Sequence, residues 1–229
     1  MSPSPKTAWK GKTIFNYILD LIYPPVCGIC GKIDKNSLCN KCNLKVKKEA
    51  VFGVDEYCET QDKLFDEHLY VFIYSGIIRN AILNYKFNNK SYIYKTITKF
   101  LLKNEKFVEI IKSYDIIIPV PLSKKRMKER GYNQSELIAK EISKTLNIDL
   151  NKQSLIKNQN TVAQSTLNKE ERLKNSQGVY TLKYPNKITN KNVLIIDDIY
   201  TTGSTVNECS KKILKANPEK IGVLTIAKD

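Results

Sequence analysis

Histidine is nearly absent from the chain: His68 is the only one in 229 residues. It has no cysteine or glutamate partner at ligand spacing, so it reads as a structural or surface residue. A relay of the Ser–His–Asp kind finds little to work with. Acidic residues are also scarce, 23 against 38 lysines and arginines, for a formal net charge of +15. That excess suits a polyanionic partner such as nucleic acid, a pyrophosphate or an anionic membrane surface. It equally suits solvated lysine faces, because the lysines run along the whole chain. A long apolar run is missing too. Ile14–Val26 is interrupted by Asp20 and ended by Pro24-Pro25, too short to span a bilayer. With no evident signal peptide, the expectation is a cytoplasmic protein without stable membrane insertion. Ile14, Ile18, Leu21 and Ile22 make residues 13–22 a short amphipathic helix, which leaves peripheral attachment at the inner membrane face open. The 41% hydrophobic content is enough for a real core.

Cysteine is more plentiful, with six residues in a distinctive pattern. Cys27-Gly-Ile-Cys30 and Cys39-Asn-Lys-Cys42 are two C-x-x-C knuckles eight residues apart. Each knuckle brings two thiolates onto one tight turn, and the pair reads as a tetrahedral Cys₄ zinc site. Lys32, Lys35 and Lys41 favour thiolate over thiol. Redox-active dithiols or an iron–sulfur cluster are the alternatives; no βαβ pattern surrounds the knuckles to support the former. A structural zinc would supply the folding energy that so small a module lacks. Cys58 and Cys209 are left over, Cys58 in a polar stretch and Cys209 on the apolar face of a helix.

Along the chain, a composition shift between about 51 and 67 marks a boundary. The expected organisation is residues 1–50 as helix and zinc module, 51–68 as linker and 69–229 as the main domain. Leu69–Ser75 reads as a strand and Gly76–Phe87 as a helix ending near Lys86. Residues 91–113 read as one or two amphipathic helices. Asp115–Pro121 is a buried strand running into a basic loop, with Lys124, Lys125, Arg126, Lys128 and Arg130 inside seven residues. In an open α/β sheet that end of a strand is where ligands bind, so the loop is a candidate for a second anion. Asn133 can cap the next helix, with Glu136 three residues on. Residues 157–177 are polar and read as a long loop leading to Arg172, Val179–Leu182 as a strand, and Ile221–Ala227 as the last strand.

The most informative stretch is Val193-Leu-Ile-Ile-Asp197-Asp198-Ile-Tyr-Thr201-Thr202-Gly203-Ser204-Thr205. An unbroken apolar run fits a strand buried on both faces. Two carboxylates follow, then a Thr/Gly/Ser loop, then a helix with Val206, Cys209, Ile213 and Ala216 on one face. Backbone N–H groups at such a helix N-terminus cradle phosphate. A Walker lysine and a G-x-G-x-x-G turn are both missing. Two acids beside the cradle instead suit the vicinal hydroxyls of a sugar phosphate. The stretch resembles the phosphoribosyl pyrophosphate (PRPP) signature of type I phosphoribosyltransferases.

Taken together, the motifs resemble the ComF family of late competence proteins. They are Ile-Tyr-Pro-Pro-x-Cys with two knuckles, Ile-Ile-Pro-Val-Pro-Leu with Arg130-Gly-Tyr-Asn-Gln134, Thr161-x-x-Gln164-x-x-Leu167 with Arg172-x-x-Asn175, and the PRPP signature. The resemblance implies an α/β type I phosphoribosyltransferase fold, a parallel sheet flanked by helices, preceded by the small Cys₄ zinc module. It implies that Asp197 and Asp198 hold the ribose hydroxyls and Thr201–Thr205 the 5′-phosphate. Lys124, Lys125, Arg126 and Arg130 would hold pyrophosphate with Mg²⁺, and the 157–175 loop would close with Arg172. It also implies a role in DNA uptake, with single-stranded DNA, a competence helicase and DNA-processing proteins as partners. A salvage phosphoribosyltransferase, or a nucleic-acid-binding adaptor with a regulatory or vestigial PRPP site, are the other readings. Tyr85, Phe87, Tyr92 and Tyr94 could stack bases or simply pack. Tyr200 stands where a smaller residue is common and is expected to shape the ribose pocket. Cys58 alone cannot make a second metal site.

Overall fold

Val193 to Ile196 are fully buried, as a strand with helices on both faces requires. In the computed structural model they lie in the middle of a six-stranded sheet. The structure describes residues 24, 26–36, 38–57, 63–87, 90–158 and 178–229. The elements in chain order are α1 (Asn40–Glu49), β1 (Ala50–Glu56), β2 (Glu67–Ile73), α2 (Gly76–Phe87), α3 (Ile93–Leu101), α4 (Glu105–Lys112), β3 (Ile116–Pro119), α5 (Lys124–Arg130), α6 (Gln134–Leu146), β4 (Asp149–Leu150), β5 (Leu155–Lys157), β6 (Tyr180–Leu182), β7 (Asn192–Tyr200), α7 (Ser204–Ile213) and β8 (Lys220–Lys228). The amphipathic stretch 13–22, Cys58, and the loop carrying Thr161, Gln164 and Arg172 lie outside the described residues.

The sheet runs β1-β2-β8-β7-β3-β4. All neighbours are parallel except β1, which is antiparallel to β2. From β3 the chain next joins the sheet on one side, at β4. From β7 it goes to the other side, at β8. The connections therefore diverge between β3 and β7, where an open α/β sheet leaves a crevice at its carboxyl end. Register puts Pro119 beside Ile196, so the chain leaving β3 and the acids on β7 reach that crevice together.

Side-chain alternation divides the core between the two faces of the sheet. Ile117, Leu194, Ile196, Leu224 and Ile226 face the layer that includes Ile82, Tyr85, Ile93, Leu101 and Ile138. Ile116, Ile118, Val193, Ile195 and Val223 face Val206, Cys209 and Ile213 of α7 and the β5–β6 hairpin. Each such residue, fully buried, contributes about 1.5–3 kcal/mol of transfer free energy.

Residues 50–56 join the sheet as edge strand β1, although the sequence reads most of them as linker. A bulge between Ala50 and Gly53 breaks the alternation that would have marked the strand. Phe52 anchors it, its ring 5.7 Å from that of Phe100 and 5.3 Å from that of Phe107. The basic stretch after β3, expected as a loop, is the helix α5. Ser123 caps it by accepting from Arg126 N–H, and KKRMKER contains only good helix formers until Gly131 ends it.

Candidate functional site

The first cluster is the four cysteines. A turn formed by Cys27 N–H to Lys32 O and Gly31 N–H to Cys27 O presents Cys27 and Cys30. Cys39 precedes α1, and Cys42 lies in its first turn. All four Sγ atoms fall within 4.8 Å of one another. Cys30 and Cys39 Sγ are 3.9 Å apart. A tetrahedral zinc with 2.3 Å bonds needs about 3.8 Å between sulfurs, so the donor set fits such a metal. Gly28 lets the knuckle seat on α3: a Cβ there would come within 2.2 Å of Thr96 Oγ1. Burial pushes the Cys27 thiol up, but backbone hydrogen bonds from Cys30, Cys39 and Ile29 outweigh it and bring it down to about 7. Burial drives the Cys42 thiol the other way, well above the usual range.

The second cluster lies at the β3–β7 crevice. β7 runs through the acids to Tyr200, so Asp197 and Asp198 fall on opposite faces of the strand's end. Asp197 Oδ1 accepts from Ser135 Oγ at 3.0 Å and from the Asp198 N–H at 2.9 Å. Asp198 Oδ1 is 2.8 Å from Lys86 Nζ, and both side chains are largely buried. Burial, with the charge of Asp198 beside it, pushes the Asp197 carboxyl up to about 7 against the pull of Lys86 and the hydrogen bonds.

The loop follows at once. Gly203 has φ +73° and directly precedes α7. A Cβ on it would meet the Tyr200 hydroxyl at 2.5 Å, so glycine is required twice over. The Ser204 N–H reaches Thr202 Oγ1 at 3.3 Å, and the Thr202 hydroxyl donates to Ser204 Oγ at 3.0 Å. Thr205 borders the cleft with the two acids, while Ser204 is buried in the turn.

Cations line the other wall. Arg126 and Arg130, one helical turn apart on α5, both face the cleft. Lys124 and Lys125 are exposed and lie outside its lining. Arg130 donates to Gln134 Oε1 at 3.1 Å, and its guanidinium lies 5.3 Å from the Phe87 ring centre. Lys157 at the end of β5 and Lys86 at the end of α2 also line the cleft. Burial lowers the pKa of Lys157, with Arg126 adding to the shift. Sequence reasoning gave neither lysine a role, because only their meeting with the acids in space distinguishes them from the other lysines.

The Arg130–Gln134 segment fastens these walls together. The Tyr132 hydroxyl donates to Tyr85 O, and the Tyr85 hydroxyl donates to Gln134 O at 2.9 Å. Asn133 Nδ2 donates to Val120 O at 2.9 Å, while its Oδ1 caps α6 through the Ser135 N–H. Glu136, expected to complete the cap, pairs with Lys152 instead. Tyr85 is thereby a core residue, whereas Phe87 stays half exposed at the cleft. Tyr92 and Tyr94 pack against the core.

His68 is completely buried, its Nε2 2.8 Å from Thr225 Oγ1, and burial lowers its pKa to about 4. Its ring stacks on Tyr200 at 4.2 Å, behind the loop and outside the cleft lining. Tyr200 therefore supports Gly203 from below. Cys209 is a buried core residue.

The phosphoribosyl transferase domain model matches residues 129–229. Over 212 residues the chain is 30% identical to competence protein F of Haemophilus influenzae, covering 86% of this chain and 92% of that one. It is 27% identical over 196 residues to competence protein ComFC of Bacillus subtilis, covering 83% and 78%. It is 25% identical over 195 residues to DNA utilization protein YhgH of Escherichia coli, covering 83% and 84%. Among solved structures, a purine phosphoribosyltransferase from Pyrococcus horikoshii is 16% identical, covers 59% of this chain and 83% of its own, and gives a TM-score of 0.39.

Proposed function

Because the chain belongs to the ComF family of competence proteins, we propose that its crevice binds PRPP or a related ribose 5-phosphate compound, in a protein that handles incoming single-stranded DNA. One observation carries the reading. At the end of β7, one cleft is lined by two carboxylates, by Thr205 of the α7 start that follows Gly203, and by Arg126 and Arg130. A sugar that carries both a phosphate and a pyrophosphate matches that set of groups. Asp197 and Asp198 accept from the ribose hydroxyls, the 201–205 loop takes the 5′-phosphate, and Arg126 and Arg130 take the pyrophosphate. Mg²⁺ arriving with the ligand supplies further neutralisation of the pyrophosphate as a leaving group. Were pyrophosphate to leave, the anomeric carbon would develop positive charge, and the ionised acids would stabilise it. In this reading Cys27, Cys30, Cys39 and Cys42, whose sulfurs converge, would hold a structural zinc, and no helix among the described residues is long and apolar enough to cross a membrane.

The test is a thermal-shift titration with PRPP and Mg²⁺, followed by binding of a fluorescent single strand across a range of salt. PRPP raises the melting temperature of the wild type and leaves Asp197→Asn/Asp198→Asn unmoved. Strand affinity falls steeply with salt in both proteins, because phosphate contacts do not use the acids. A wild type that ignores both ligands contradicts the proposal.

A further inference from the structure

The Lys86–Asp198 contact is unusual for a surface ion pair. The side chains are only 19% and 12% exposed, at 2.8 Å. Withdrawing two charges from water costs more than such a pair commonly returns in stability, so packing does not explain it. Nor does Lys86 reach the acid by chance. Tyr85, the residue before it, is held by three hydrogen bonds to Tyr132 and Gln134, and its ring stacks on Tyr132 at 5.6 Å. Lys86 is thus fixed by the same segment that carries Arg130. It comes from α2, well outside the residues matched by the phosphoribosyl transferase domain.

An ammonium has three donors, and Asp198 takes one. Lys86 shares the cleft lining with Arg126 and Arg130. Arg130 is near enough to sense the charges of Asp198 and Asp197. A ligand bearing pyrophosphate would bring its negative charge up to this acidic pair, and Lys86 is the cation fixed directly on it.

We propose that Lys86 is a ligand-binding residue of the cleft. It neutralises Asp198 in the free protein and takes a pyrophosphate oxygen of PRPP as its second partner. This rests on the PRPP reading and adds to it a contact from the N-terminal part of the chain.

The experiment is calorimetric titration of full-chain, zinc-loaded protein at constant Mg²⁺ with PRPP, inorganic pyrophosphate and ribose 5-phosphate, for wild type, Lys86→Gln and Lys86→Arg. Loss of one charge-assisted hydrogen bond predicts about ten- to a hundredfold weaker binding of PRPP and pyrophosphate to Lys86→Gln. Ribose 5-phosphate affinity should stay within about threefold, which also shows that the variant is folded, and Lys86→Arg should recover most of the loss. Equal loss for all three ligands reduces Lys86 to a support of Asp198 and overturns the proposal. So does no loss for any of them. A wild type that binds none of the ligands overturns the PRPP reading and this proposal together, whereas normal wild-type binding with an unaffected variant overturns this one alone. Reductive methylation of the wild type gives an arm free of folding effects: pyrophosphate should protect Lys86 and ribose 5-phosphate should not. Equal labelling with and without pyrophosphate contradicts the contact.

Discussion

The cysteine cluster and the β3–β7 cleft pose the same electrostatic problem. Each gathers groups that repel one another when ionised. In the cleft the chain supplies its own cations: Lys86 pairs with Asp198, and Arg126, Arg130 and Lys157 stand nearby. At the other cluster four sulfurs lie within 4.8 Å of one another, and the thiols of Cys27 and Cys42 are driven in opposite directions. Four thiolates so close require an external cation, whereas two carboxylates can share an internal one. The module should therefore depend on its metal for structure, and the cleft should fold before its ligand arrives.

The largest effect that could break this comparison is metal removal. Chelation or Cys39→Ser should unfold the N-terminal module, since structural zinc contributes on the order of 10 kcal/mol in small modules. Metal content, thiol titration and circular dichroism report it. A module that keeps its fold and its thiol protection without metal would remove the contrast. Next in size is Gly203→Ala. The positive φ and the Tyr200 hydroxyl beneath should together cost about 1–3 kcal/mol and abolish loop-dependent ligand binding, read by denaturant unfolding and titration.

The two sets of basic residues on α5 sharpen the comparison further. Arg126→Ala should weaken PRPP about tenfold, and Lys124→Ala by less than about twofold, because only the former lines the cleft. Equal effects would show that net charge alone attracts the ligand. The remaining effect, on stability rather than on binding, concerns Asp197. Its folded carboxyl titrates above its unfolded value, so the unfolded chain releases its proton first as pH rises. Stability is then lost through the interval from about 4 to about 7. Asp197→Asn removes that loss. Its stability advantage over the ligand-free wild type should grow by about 2–3 kcal/mol between pH 5 and pH 8. A difference independent of pH would mean that lysine pairing already neutralises both acids.

What could be read in the sequence follows from range. The β7 run, the acids, Gly203 and the apolar face of α7 are contiguous, and their order alone indicates strand, cradle and helix. The knuckles were legible because ligand spacing is local, and the structure brings all four sulfurs together. What escaped is set by contacts over long separations. β1 looked like linker because its bulge hides the alternation. The basic run looked like a loop because charge masked its helix propensity, and the face it turns to the cleft selects Arg126 and Arg130 from five equivalent-looking cations. Lys86 meets Asp198 across 112 positions of sequence, and no local pattern foretells that. Tyr200 was expected in the ribose pocket. Its ring stacks instead on His68, outside the cleft lining.

The central claim is that the acids at the end of β7 form a working ribose site. The measurement that reaches it most directly is calorimetric titration of zinc-loaded protein with PRPP and Mg²⁺, wild type beside Asp197→Asn/Asp198→Asn. The account predicts saturable binding at one site per chain in the wild type and none in the variant. Equal affinity in both proteins, or no heat in the folded wild type, would contradict it.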